Sequence, residues 1–138
     1  MTRHFTIPGE PQGKGRPRFM KNGHAYTPSK TAAYESIVRA CYTAACKSEP
    51  FPDGVPLVVT ITAYFAPPKS TPKKRLMDMI LGLLKPTKKP DWDNIGKIIC
   101  DSLNGIAWHD DSQITSAHVY KRYRKDAEVE VWISKEDV

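Results

Sequence analysis

The run Leu57 to Phe65, reading Leu-Val-Val-Thr-Ile-Thr-Ala-Tyr-Phe, constrains the fold more than any other stretch of this chain. Its β-branched and aromatic residues fit a pleated, half-buried surface, and the turn-rich connection Pro50 to Pro56 and the stop Pro67-Pro68 confine it to one strand. It is a candidate central strand. The longest apolar run, Val55 to Ala66, contains it, is broken by Pro56, Thr60 and Thr62, and falls far short of the ~20 residues a membrane-spanning helix needs. A length of 138 residues suits one domain with a real core, and 40% apolar with 26% charged residues excludes wholesale disorder. The N-terminus, with Arg3, His4 and a strand-like pattern, lacks the segments of a signal peptide. One domain over residues 1–138, located in the cytoplasm, is expected.

The flanking sequence supplies further strands, and helices to pack on them. His4 to Ile7 reads as a first strand, ended by Pro8-Gly9. Pro17 to Met20 and His24 to Thr27 flank Lys21-Asn22-Gly23, whose Asn-Gly pair predicts a β-hairpin. Thr27 as cap and Pro28 at the first helical position start a helix to about Lys47, with Ala33, Ile37, Val38, Cys41, Ala44 and Ala45 as its apolar stripe. Thr71-Pro72 starts a second, Lys73 to Leu84, with Leu76, Ile80, Leu83 and Leu84 inward. A third, Ile95 to Asn104, stops at Asn104-Gly105; Ile95, Ile98, Ile99, Ser102, Leu103 and Ile106 share one side, and Asp93, Lys97 and Asn104 the other. Gln113 to Tyr123 and Glu128 to Ile133 close the chain as two strands, read as a hairpin turning near Lys125-Asp126. The fold class is α/β (α+β): a single domain with a mixed β-sheet packed by helices.

A net charge of +6 points to an anionic partner such as nucleic acid. The basic residues gather in clusters: Lys14, Arg16, Arg18 and Lys21; Lys69, Lys73, Lys74 and Arg75; Lys85, Lys88 and Lys89; and Lys121, Arg122, Arg124 and Lys125. Each cluster alone reads equally well as a solvated face. Lys73, Lys74 and Arg75 at a helix start oppose the helix dipole by a few tenths of a kcal/mol each, a cost that points to use. Cys41, Cys46 and Cys100 have neither disulfide arithmetic nor zinc spacing and read as buried free thiols.

Against this basic background, Asp91, Asp93, Asp101, Asp110 and Asp111 fall in one short span whose lone Lys or Arg is Lys97. If Asp91 to Asp93 is extended, both carboxylates project to the same side and repel, which a divalent cation such as Mg²⁺ relieves. Lys97, one turn beyond Asp93, can reach a phosphate or a leaving group. Other readings stay open: Asp93 as an N-cap, Asp93, Lys97 and Asp101 as an ion-pair ladder, and Asp110-Asp111 as a polar turn. Taken together, one pair at a helix start and another at a strand start can converge on one rim. Basic surface around carboxylates is what a metal-dependent nuclease needs. His109 reads either as a ligand or base or as a surface residue, Trp108 as core, and Trp92, between two acids, as facing solvent or DNA.

Lys89-Pro90-Asp91-Trp92-Asp93-Asn94-Ile95-Gly96-Lys97, Asp101-Ser102-Leu103-Asn104-Gly105 and Trp108-His109-Asp110-Asp111-Ser112-Gln113-Ile114 together resemble the RusA family of Holliday junction resolvases. Gly13-Lys14-Gly15-Arg16-Pro17-Arg18-Phe19 and Tyr26-Thr27-Pro28-Ser29-Lys30-Thr31 resemble the N-terminal pattern of its phage- and prophage-associated members. The resemblance implies a RusA-like fold and a homodimeric endonuclease that uses Mg²⁺, with Mn²⁺ as a substitute, to nick a four-way DNA junction at symmetry-related positions. It implies Asp91, Asp93 and Asp111 as metal ligands, Asp110 as a neighbouring ligand, and Lys97 as the functional lysine. Lys14, Arg16, Arg18, Lys69, Lys73, Lys74, Arg75, Lys88 and Lys89 are the candidate DNA-binding residues. The connection Pro67 to Pro90 is longer than in the shortest members. Two rival readings are a broader flap or branched-DNA nuclease and a non-catalytic DNA-binding protein.

Overall fold

A computed structural model describes residues 2–137. Ten elements follow one another: β1 (Thr2–Pro8), β2 (Arg18–Phe19), β3 (Ala25–Tyr26), α1 (Ser29–Cys46), β4 (Leu57–Phe65), α2 (Lys73–Ile80), α3 (Trp92–Leu103), one turn of 3-10 helix (Asp111–Gln113), β5 (Ile114–Tyr123) and β6 (Glu128–Lys135). The main sheet runs β1-β6-β4-β5, mixed because β4 is parallel to β5 and antiparallel to β6. β4 is central, as its composition requires. Leu57, Val59, Ile61, Ala63 and Phe65 alternate into the core with Phe5 and Ile7 of β1 and Val129, Val131 and Ile133 of β6. Tyr34, Val38 and Tyr42 of α1 and Ile95, Ile98, Ile99 and Leu103 of α3 join the same core. Each such Ile or Leu, fully buried, contributes about 2 kcal/mol through the apolar area it removes from water.

Four expectations are corrected. β5 and β6 do not form a hairpin; β4 lies between them, and the connection crosses its end, where the Arg124 N–H donates to the Phe65 carbonyl at 3.1 Å. The most apolar strand takes one of the two inner positions, beside β6. α1 begins at Ser29 with Pro28 at the cap position, and the face it buries is Thr31, Tyr34, Val38, Tyr42 and Cys46, leaving Ala33, Ile37, Ala44 and Ala45 exposed. Two tyrosines cover far more area than alanines, and Tyr42 packs edge-on against Phe5 at 5.5 Å while accepting a hydrogen bond from Arg3 Nη1 at 2.8 Å.

α2 stops at Ile80 because Gly82 turns left-handed at φ 81°, with Gly82 N–H donating to the Met79 carbonyl and Leu83 N–H to the Asp78 carbonyl, a Schellman stop. Met79 is its buried residue. Leu76, Ile80 and Leu83, expected inward, are exposed, Leu83 by 72%, and Leu84 is half-buried. α3 starts three residues earlier than its apolar period indicates, at Trp92, and its buried side is the expected one: Ile95, Ile98, Ile99, Ser102 and Leu103.

Candidate active site

The start of α3 places the first acid pair. Asp91 occupies the N-cap position and its carbonyl accepts from the Ile95 N–H at 3.1 Å, but its carboxylate caps nothing. Asp93 sits in the first turn. Helix from Trp92 onward replaces the extended step expected over Asp91 to Asp93, and Asp93 is therefore no N-cap. Both residues are exposed, and neither carboxylate takes part in a hydrogen bond or ion pair among the described residues. The Trp92 indole between them is 65% exposed, while Trp108 is fully buried.

The second pair sits where the 3-10 turn leads into β5. Asp110 and Gln113 form a reciprocal capping box: the Asp110 carboxylate accepts from the Ser112 backbone N–H at 3.3 Å and from its hydroxyl, and Gln113 Oε1 accepts from the N–H groups of His109 and Asp110 at 2.9 and 3.1 Å. The Ser112 hydroxyl and backbone donors hold the Asp110 carboxyl below the usual carboxylate range. Gln113, itself buried, donates through Nε2 to the carbonyls of Pro52 and Val55 at 2.9 and 3.1 Å, pinning the turn to the connection before β4. Asp110 is thus the turn-former of the pair. Asp111 is exposed and without a partner among the described residues. Burial, then the carboxylates of Asp111 and Asp101, push the Cys100 thiol up to about 12.

Lys97 stands one turn beyond Asp93, and behind it lies a charge network. Asp101 Oδ2 is 3.4 Å from Lys97 Nζ and 3.2 Å from Lys14 Nζ, and Lys14 Nζ is 2.8 Å from Glu35 Oε2. Burial alone works against the Lys14 ammonium, but its hydrogen bonds to Glu35 and Asp101 outweigh that and hold it above the ordinary lysine value. The flanking glycines explain how Lys14 enters so deeply. A Cβ on Gly13 would meet Pro90 and Asn94 at 2.9 and 3.0 Å, and one on Gly15 would meet Thr31 Oγ1 at 2.5 Å. The Lys14 N–H donates to the Asn94 carbonyl at 3.1 Å and the Gly15 N–H to Thr31 Oγ1 at 3.2 Å. This clamps the N-terminal segment onto the start of α3.

The clamp leaves a cleft of about 650 Å³ lined by Arg16, Arg18, Lys30, Lys89, Asp91 and Asn94 among others. The family model Endodeoxyribonuclease RusA matches residues 8–134. Uncharacterized protein YqaN of Bacillus subtilis (strain 168) is 36% identical over 137 residues, covering 94% of this chain and 93% of the relative. The chain belongs to the RusA endodeoxyribonuclease family.

Within this RusA domain the candidate residues separate into groups. Arg16, Arg18 and Lys89 share the cleft with Asp91, whereas the Lys14 ammonium is turned into the Glu35–Asp101 network. Lys69 lines a different cavity of about 730 Å³, with Leu76, Ile80 and Arg124. Lys73, Lys74 and Arg75 are exposed on α2, and Lys88 lies 5.7 Å from the centre of the Phe65 ring. His109 is exposed, its backbone held by Gln113. The three cysteines are free, Cys46 buried and the other two half-buried. Among the described residues, no three His, Cys, Asp or Glu side chains stand close enough together to hold an ion, and no helix is long and apolar enough to cross a membrane. Gln113, Glu35 and Lys30 are the site residues that sequence reasoning missed. The spacing Asp110-x-x-Gln113 is itself a capping-box signal.

Proposed function

We propose that this RusA-family chain is a divalent-metal-dependent, structure-selective endonuclease that resolves four-way DNA junctions by paired nicks, working as a homodimer. The observation that carries the reading is the set of exposed, partner-free carboxylates Asp91, Asp93 and Asp111, the first of which lines a cleft otherwise free of acids and rich in bases. Salt-bridged or capping aspartates already have protein donors on their oxygens, as Asp110 has in Ser112. Exposed carboxylate oxygens with no protein donor are a hard donor set that fits Mg²⁺ or Mn²⁺. Asp91, Asp93 and Asp111 do not stand within reach of one common ion among the described residues, so binding of the ion would have to draw them together, with Asp110 beside them. When bound, it would supply an activated water and neutralise charge on the phosphoryl oxygens.

The chain's own groups do the rest. Lys97, 61% exposed, offers an ammonium to the scissile phosphate or the leaving oxygen, and Asp101 restrains its stem from the following turn. Lys14, itself held by Glu35, fixes Asp101 in turn, so Lys14 positions Lys97 without itself touching DNA. Arg16, Arg18 and Lys89 hold backbone phosphates on either side of Asp91. A two-fold dimer presents two such sites to the near two-fold symmetry of a junction, giving one nick per subunit.

The test is cleavage of a synthetic four-way junction, a linear duplex and a flap by the intact chain, with Mg²⁺, Mn²⁺ or EDTA. Paired nicks on the junction that vanish in EDTA are expected. Cleavage of flap and duplex at similar rates replaces junction selectivity with a broader nuclease, and tight binding with no cleavage under either metal leaves a DNA-binding protein.

A further inference from the structure

The hairpin of β2 and β3 carries apolar side chains that nothing in the described chain covers: Phe19 is 72% exposed, Met20 54% and Tyr26 46%. Clustered exposure of this kind marks a contact surface. The ribbon is short yet closely specified. Met20 N–H donates to the His24 carbonyl at 2.8 Å, Gly23 N–H to the Met20 carbonyl at 2.9 Å and His24 N–H to Asn22 Oδ1 at 3.1 Å. Gly23, at φ 85°, supplies the left-handed residue that closes the turn. The register sets Arg18 opposite Tyr26 and Phe19 opposite Ala25, and Phe19, Met20, Lys21 and Tyr26 together line one shallow hollow on the ribbon. Two uncovered rings around one hollow call for a planar, apolar-faced occupant.

Charge identifies that occupant. Between Glu10 and Glu35 the chain holds Lys14, Arg16, Arg18, Lys21 and Lys30 and no carboxylate. Arg16 and Arg18, at the base of the ribbon, also line the cleft that contains Asp91, so a polyanion lying along the hairpin continues to the carboxylates. Inside a duplex the base faces are hidden in the stack; at a branch point, where arms end, they are open to an inserted ring.

We propose that the β2–β3 hairpin is a branch-point wedge: Phe19 and Tyr26, around their shared hollow, stack on bases left open at the branch point, while Arg16, Arg18 and Lys21 hold the flanking phosphates. This rests on the nuclease reading and makes the hairpin a source of its structure selectivity. A second copy of the chain is the competing occupant, disfavoured because two hairpins of like charge repel.

The experiment measures binding in EDTA, so that no cleavage intervenes. Junctions with 2-aminopurine beside the branch point and linear duplexes of equal length are titrated with the intact chain, Phe19→Ala, Tyr26→Ala and the aromatic replacements Phe19→Tyr and Tyr26→Phe. Each alanine variant should lose roughly tenfold in junction affinity and keep its duplex affinity, as removal of one stacked base implies. The fluorescence change at the branch point should fall with it, and the aromatic replacements should restore both. Unchanged junction affinity, or equal losses on junction and duplex, would overturn the wedge while leaving the nuclease reading intact. Sedimentation of the same variants covers the other occupant: a shift from dimer to monomer would assign the hairpin to a second copy. If the unaltered chain bound neither DNA, the nuclease reading and the wedge would fall together.

Discussion

At the scale of single residues, one buried amide governs half of the candidate site. Gln113 satisfies the N–H groups of His109 and Asp110 and the carbonyls of Pro52 and Val55 at once. Gln113→Ala leaves those four groups without their partner and should destabilise the chain by about 2–4 kcal/mol, read as a fall in the urea midpoint at constant slope. A change within about 0.5 kcal/mol would mean that water replaces the amide. The identity of the acids is legible in the sequence because Asp91, Asp93, Asp110 and Asp111 crowd together where bases are scarce. Their division of labour is not. It depends on which oxygens find donors: Ser112 engages the Asp110 carboxylate, and among the described residues none engages that of Asp111. The partners of Lys14 are equally hidden, since Glu35 and Asp101 reach it from two separate helices. Sequence proximity to Arg16 and Arg18 groups Lys14 with the DNA-binding residues; the tight approach of Gly13 and Gly15 to the body turns its ammonium inward instead.

At the scale of elements, a strong period predicts the buried face and a weak one does not. β4 and the buried side of α3 follow from uninterrupted patterns of Val, Ile and Leu. The buried face of α1 is rotated from its apolar stripe because tyrosine counts little in such a stripe and much in buried area. The apolar pattern of α2 continues through Gly82, whose left-handed φ of 81° ends the helix. Leu76 and Ile80 are exposed on the element that also carries Lys73, Lys74 and Arg75. Those three cations have no ion pair among the described residues and add positive field to the basic approach. Reversing them to Glu should weaken junction binding and flatten the dependence of log affinity on log salt by about one unit per phosphate released. An unchanged slope would remove α2 from the DNA interface.

At the scale of the whole molecule, α1 and α3 share one core with β4, β6 and β1, and α3 carries the acid pair to its solvent rim. The pairing of β4 with both β5 and β6 is hidden in the sequence because local pattern defines strands without ordering them. β5, which follows the Asp110-Asp111 turn alongside β4, packs on α3, where a Cβ on Gly96 would meet Val119 at 3.5 Å. In the proposed function, the excess of positive charge over the rest of the surface would draw DNA towards the partner-free carboxylates. The most direct measurement is turnover and junction affinity, side by side, for Asp91→Asn, Asp93→Asn and Asp111→Asn in Mg²⁺. Asparagine preserves size and capping capacity and removes the charge. Each variant should lose about a thousandfold or more in cleavage while binding the junction within about threefold of the unaltered chain. Cleavage retained in any two of the three, with binding intact, would contradict a site built on these carboxylates.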